Sequence, residues 1–527
     1  MSDIPKRIDC DVLVVGGGIN GAGIARDASG RGLRVLLCEK DDLASHTSSA
    51  SSKLIHGGLR YLEQYEFGLV RKALAEREVL LRSAPHIVRP LRFVMPLAPG
   101  ERARGQRPAW MLRAGLFLYD HLARRDFLPA SEALDLRAHA AGTDLQPRYT
   151  RAFAYSDAWV DDARLVVLAA LDAREHGATI LTRTRCLELR RETQREAQRW
   201  SARLLGPDGE LQVSARCLVN ASGPWAASFL GVGGAGPATG ALRLVKGSHI
   251  VLPRLFAHDQ AYLLQQPDGR IVFALPYEAE FTLVGTTDVD HTGDLDRVAI
   301  SSEETAYLCD AVNRCFTRRV TPADVVWSYA GVRPLIGDGE ASASDASRDY
   351  RLATDTAGAP LLSVFGGKIT TFRKLAEQAV DWIAAALGRP LPGWTAEACL
   401  PGGDIFGRAP SARAVLEFDA WVKTRQQQYA WLPPGLLARY ARAYGTRLSV
   451  LLAHCRGPGD LGQEIVPGLF EAEADYLVRQ EWALGADDIL WRRSKLGLHV
   501  APGSAARLGA WLEARLAGRE RGSVAAS

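Results

Sequence analysis

Gly16, Gly18 and Gly21 are spaced G-x-G-x-x-G, and Glu39 closes the next apolar run. In this pattern the first glycine permits a tight turn and the second lets backbone approach a pyrophosphate. The third lets a helix pack on a strand, and that helix's N-terminus faces the phosphate charge. Glu39 would accept hydrogen bonds from ribose hydroxyls. The chemistry these residues could do is therefore dinucleotide binding. No Ser-His-Asp, H-E-x-x-H or EF-hand pattern competes, so neither hydrolysis nor a metal site is expected.

The elements that must position these residues can be read in the same stretch. Residues 11–15 (DVLVV) form a short β-branched run suited to a buried parallel strand. Residues 19–29 read as a helix and 33–38 (LRVLLC) as a second strand, a βαβ unit. Two later segments return to the same sheet. Residues 216–220 (RCLVN) lead into Ala221-Ser222-Gly223-Pro224, and 361–365 (LLSVF) lead into Gly366-Gly367 and a helix through Trp382. Between them, residues 240–335 alternate in the manner of antiparallel strands. Beyond a linker at Pro390, Pro392 and Pro401-Gly402-Gly403, the chain is rich in Ala, Leu, Arg and Trp at helical spacing. The expected fold is α/β. A Rossmann-like nucleotide-binding domain (1–90, 150–240, 340–388) carries an inserted antiparallel domain (91–149, 241–339), and an all-helical domain (389–527) follows. The glycine motif does not separate FAD from NAD, but its N-terminal place in a sheet completed late in the chain favours FAD.

Bulk properties narrow the field. With 527 residues, 47% hydrophobic and 24% charged, the chain suits a globular protein of two or three domains. A net charge of +4 gives no global case for nucleic-acid binding. Eight cysteines without a C-x-x-C pair fit reduced thiols better than a disulfide framework. The polar N-terminus lacks the apolar core of a signal peptide. The longest uncharged stretch, 217–242, contains two prolines and six glycines, so no transmembrane helix is expected.

Residues 48–61 (SSASSKLIHGGLRY) closely resemble the signature of the FAD-dependent glycerol-3-phosphate dehydrogenases. The likeness continues through 155–165 (YSDAWVDDARL), 245–251 (VKGSHIV), 285–288 (GTTD), 329–335 (YAGVRPL), 348–350 (RDY), 362–375 (LSVFGGKITTFRKL), 400–403 (LPGG) and 486–494 (ADDILWRRS). The resemblance implies FAD as cofactor and oxidation of sn-glycerol 3-phosphate to dihydroxyacetone phosphate, with electrons passing to ubiquinone or a related quinone. Carried over by position, Thr47, Ser48, Ser49, Ser52, Gly223, Gly367, Lys368 and Thr370 join the glycines and Glu39 around the cofactor. Arg60, Tyr61, Thr286, Arg333, Arg348 and Lys368 would grip the substrate. A phosphate monoester carries close to two negative charges, and guanidinium forks match its oxygens. An amino-acid oxidase of the same fold would instead need a carboxylate clamp, usually one arginine with a tyrosine.

Alcohol oxidation also needs a base, and of eleven histidines only His56 and His249 fall inside these motifs. Either could take the hydroxyl proton, with Arg333 stabilising the developing alkoxide. The resemblance further implies a homodimer lying peripherally on the cytoplasmic face of the inner membrane. Residues 89–113 carry six arginines and one acid, and lead into 108–122 (PAWMLRAGLFLYDHL). A basic flank, a tryptophan and a broad apolar face suit a helix lying among anionic headgroups. Along it Arg113, Asp120 and Arg124 fall on one stripe, with Trp110, Met111, Leu118 and Leu122 on others.

Overall fold

The computed structural model describes residues 6–62, 65–97, 108–194, 197–232, 242–336 and 349–525. Strand Lys6–Val15 is apolar from Val12 to Val15, and all four residues are buried. Burial on both faces requires such an unbroken apolar run. The strand pairs parallel with Gly209–Asn220 and with Val35–Cys38, so that Asn220, Val15 and Cys38 end level with one another. Leu361–Gly366 adds a further parallel strand, and Tyr350–Asp355 closes that edge antiparallel. Thr179–Leu181 closes the other edge, and Arg185–Gln194 with Ala197–Gly206 extends the sheet as an antiparallel meander. Helices Ile19–Gly30, Asp162–Glu175 and Phe372–Ala386 share one core against it, through Ile24, Val166 and Leu375 among others.

A second, ten-stranded sheet carries strands Leu242–Pro253, Phe281–Gly285, Ile271–Tyr277, Ala261–Gln265, Val88–Leu97 and Arg151–Val160 along its centre. Its pairing is antiparallel except where Ala261–Gln265 runs beside Val88–Leu97. Arg151–Val160, assigned from the sequence to the nucleotide-binding domain, pairs here instead, from Val160 against Val88 to Arg151 against Leu97. Its apolar run is compatible with either sheet, and only this long-range ladder decides. Leu54–Ile55, within the first segment assigned to nucleotide binding, also pairs in this sheet, against Trp159 and Ala158. Helix Ser302–Cys315, started by a capping box of Ser301 and Glu304, covers one face.

The C-terminal region is helical around Leu437, Tyr440, Leu477, Ile489 and Leu508, with one small hairpin, Glu464–Val466 and Leu469–Phe470. Buried ion pairs dock it on the body. Arg164 bonds Glu481, and Arg493 bonds Asp42 at 2.7 and 2.8 Å. Trp491 stacks on Trp327 of the second sheet, with ring centroids 4.2 Å apart. Among the described residues, no helix is long and apolar enough to cross a membrane.

Candidate active site

The cleft begins where strand Lys6–Val15 ends. Gly16 has φ +113°, and a Cβ there would stand 2.4 Å from the Ala221 carbonyl oxygen. A Cβ on Gly21 would stand 1.9 Å from the Gly16 carbonyl oxygen, so the helix can approach the turn only without one. Gly18 sits at the N-cap of helix Ile19–Gly30 with no side chain to cap it. Ser48 Oγ accepts from the Ile19 amide at 3.0 Å. Glu39 accepts from the Gly17 amide at 2.6 Å and the Asp41 amide at 2.9 Å, and burial pushes its carboxyl pKa up.

Gly16, Gly18, Ser48 and Glu39 border a cavity of about 410 Å³ that also reaches Thr47, Gly223 and Gly367. The fit to a dinucleotide is direct. The turn admits no side chain, the helix N-terminus opens into the cavity, and a buried carboxylate lies at the ribose end. Ser49 borders a neighbouring polar cavity of about 360 Å³ toward the C-terminal domain, which shares Ser45, His46, Thr47, Pro224, Trp225 and Asp296 with the first.

A chamber of about 270 Å³ continues from the cleft, sharing Ile19, Thr47, Ser48, Pro334 and Gly367 with it. Its wall brings together Ser52, His56, Tyr61, Thr286, Arg333 and Lys368, with Thr370 alongside. Strand pairing aligns Arg333 with Val245. The guanidinium donates to Asp288 at 2.6 Å and to Thr286 Oγ1 at 3.1 Å. Lys368 Nζ lies 3.4 Å from the Tyr61 ring centroid. Asp288 was passed over in the sequence, although it ends the quoted GTTD motif. Its carboxylate supplies a countercharge to Arg333, which an isolated cation cluster would need. Arg348 and the Arg60 side chain lie outside the described residues.

The two histidines occupy different layers. His56 borders the chamber, its amide 3.3 Å from Thr370 Oγ1 and its ring edge-on to Phe273. His249 is buried behind Ser52, its Nε2 2.9 Å from Ser52 Oγ and its ring stacked on Tyr329 at 4.8 Å. Burial, then the charges of Arg333 and Lys53, hold its pKa well below the ordinary histidine value.

Helix Ala109–His121 presents its apolar side outward. Trp110 is 70% and Phe117 58% exposed, and Met111 and Leu118 are also exposed. Asp120 faces inward instead, accepting from the Ser131 amide and hydroxyl, and Arg113 donates to the same hydroxyl. The arginine-rich stretch 98–107 before it lies outside the described residues.

The family model described as FAD dependent oxidoreductase matches residues 11–373, and that of the C-terminal domain of alpha-glycerophosphate oxidase matches 393–510. A glycerol-3-phosphate dehydrogenase of Pseudomonas aeruginosa is 52% identical over 97% of this chain and 96% of its own. D-erythritol 1-phosphate dehydrogenase of Brucella abortus is 47% identical over 96% and 98%. Among solved structures, the glycerol-3-phosphate dehydrogenase of Bacillus halodurans complexed with FAD is similar, with a TM-score of 0.71 and 27% identity over 93% of this chain and 86% of its own. Matches of this extent, covering both the nucleotide cleft and the helical tail, make the chain a member of the FAD-dependent glycerol-3-phosphate dehydrogenase family.

Proposed function

We propose that the protein oxidises sn-glycerol 3-phosphate to dihydroxyacetone phosphate and passes the electrons to a quinone in an adjoining membrane. The observation that carries this reading is the chamber itself. It adjoins the nucleotide cleft, and both Lys368 and Arg333 line it. Lys368 binds the phosphate, joined by Arg60 and Arg348. Arg333, oriented by Asp288 and Thr286, stabilises negative charge on the reacting oxygen. His56, on the chamber wall, accepts the hydroxyl proton. His249, held neutral, keeps Ser52 in place from behind. Gly16, Gly18, Gly21, Glu39, Thr47, Ser48 and Gly367 hold FAD, which supplies the two-electron oxidising power when bound.

The exposed face of helix Ala109–His121 lies on the lipid surface. An outward tryptophan and phenylalanine are the side chains that partition into such an interface. A second reading, a four-carbon polyol phosphate as substrate, is favoured by the Brucella abortus relative. Product analysis separates the two. The purified enzyme is given a soluble quinone and either sn-glycerol 3-phosphate or D-erythritol 1-phosphate under argon. Dihydroxyacetone phosphate forming much the faster product supports the first reading, and preference for the four-carbon substrate replaces it with the second.

A further inference from the structure

We propose that Lys40 and Asp296 form a clasp across the mouth of the nucleotide cleft that slows release of the cofactor. The inference rests on FAD lying along that cleft. Lys40 directly follows Glu39 on the rim of the first sheet. Asp296 lies between strand Val289–Asp290 of the second sheet and helix Ser302–Cys315 that covers it. The two side chains, 256 positions apart in sequence, form an ion pair, and both border the 410 Å³ cavity. This contact bridges the two sheets' sides of the molecule at the cavity's edge, and the exposure of Asp296 puts that edge at the protein surface.

Lys40 has two further neighbours, the Asp41 carboxylate at 3.7 Å and an aromatic ring. Its Nζ lies 4.0 Å from the Trp225 ring centroid. Trp225, in the turn after strand Gly209–Asn220, meets the His46 ring edge-on at 4.7 Å, and His46 Nε2 lies 2.8 Å from Asp41. The carboxylate comes from a braced segment. The Asp296 amide donates to Asp294 Oδ1 at 2.9 Å, and Lys246 Nζ donates to the Ala299 carbonyl at 3.0 Å. The Lys40 side chain is 18% exposed and the Asp296 side chain 51%. A pair with one wet partner can open without stranding a buried charge, which a passage for the cofactor requires. Because Lys40 is already paired with a carboxylate, it acts as a positioning residue at the rim rather than as a phosphate ligand.

An exposed ion pair and a cation–π contact each contribute roughly threefold to fivefold in a rate, so their joint loss should accelerate release about tenfold. The test follows free-flavin fluorescence after dilution of the holoenzyme into flavin-free buffer. The proteins compared are the parent, Lys40→Asp, Asp296→Lys, the double exchange, and Glu39→Ala as reference. Lys40→Asp, which removes both contacts, is expected to release flavin about tenfold faster at low salt. Asp296→Lys, which keeps Lys40 over Trp225, is expected to release it about threefold to fivefold faster, and the double exchange more slowly than Lys40→Asp. The differences should shrink in about 0.5 M salt, where exposed charges are screened. Single exchanges that release at the parent rate, or a double exchange as fast as Lys40→Asp, would overturn the clasp. The reference keeps the two claims apart. Faster release from Glu39→Ala alone refutes the clasp and leaves the cleft reading standing, whereas unchanged release from every variant refutes the placement of FAD in the cleft.

Discussion

In the nucleotide cleft, the side-chain-free turn and the acid come from one short stretch, Gly16 to Glu39, with further walls at Thr184, Ala221 and Gly366. The chamber beside it draws Ser52, Thr286, Arg333 and Lys368 from four widely separated segments. The cleft therefore depends on what is missing, namely side chains on its turn. The chamber depends on what is present, a guanidinium held by Asp288 and an ammonium over Tyr61. The two regions should fail in different ways. Damage to the first removes the cofactor, and damage to the second removes the reaction while the cofactor stays.

The largest effect is expected at the cleft. Gly21→Val puts carbon against the Gly16 carbonyl oxygen, and the purified protein should carry essentially no flavin, read as absorbance per mole of chain. Arg333→Ala should give the opposite pattern, with full flavin content and kcat/KM lowered roughly 100- to 1000-fold. Loss of flavin in that variant would show that the two regions are not separable.

The helical tail supports the chamber. Trp491 stacks on Trp327, in the strand that carries Arg333, and Arg493 pairs with buried Asp42 nearby. Arg493→Leu leaves that buried carboxylate with Arg492 as its partner but strips two of its hydrogen bonds, a loss of about 1–3 kcal/mol. Denaturant unfolding should show it, with tail tryptophan fluorescence changing before flavin is released.

The smallest effect is a pH dependence that belongs to neither region. His86, packed against Gly402 and Gly445, has its pKa pushed down to about 3 by burial and then by Arg164 and Arg442. The folded pKa lies below the unfolded value of 6.5, so the unfolded chain takes up the proton first. Stability should therefore fall as pH drops below about 6.5, by about 1.4 kcal/mol at about pH 5.5. Thermal melts of His86→Leu should lack this component.

The same contrast explains what could be read in advance. The cleft was legible because its rule is local: three glycines and an acid at fixed spacing after an apolar run. The chamber was legible only through resemblance, since no spacing rule links Thr286 to Arg333, and the countercharge of Asp288 went unnoticed. The Lys40–Asp296 contact had no sequence signal, as it depends on how two sheets meet. Helix Ala109–His121 was recognised, but its stripe splits in a way periodicity does not show, Asp120 buried against Ser131 while Arg113 stays exposed. Strand Arg151–Val160 changed sheets for a similar reason, because an apolar run does not name its neighbour.

The most direct test of the central claim is an anaerobic titration of the holoenzyme with sn-glycerol 3-phosphate, followed through the visible flavin bands. Bleaching by this substrate, absent with glycerol and with amino acids and lost in Arg333→Ala, is the predicted result. A flavin spectrum left unchanged by sn-glycerol 3-phosphate in folded, flavin-loaded protein would contradict the account.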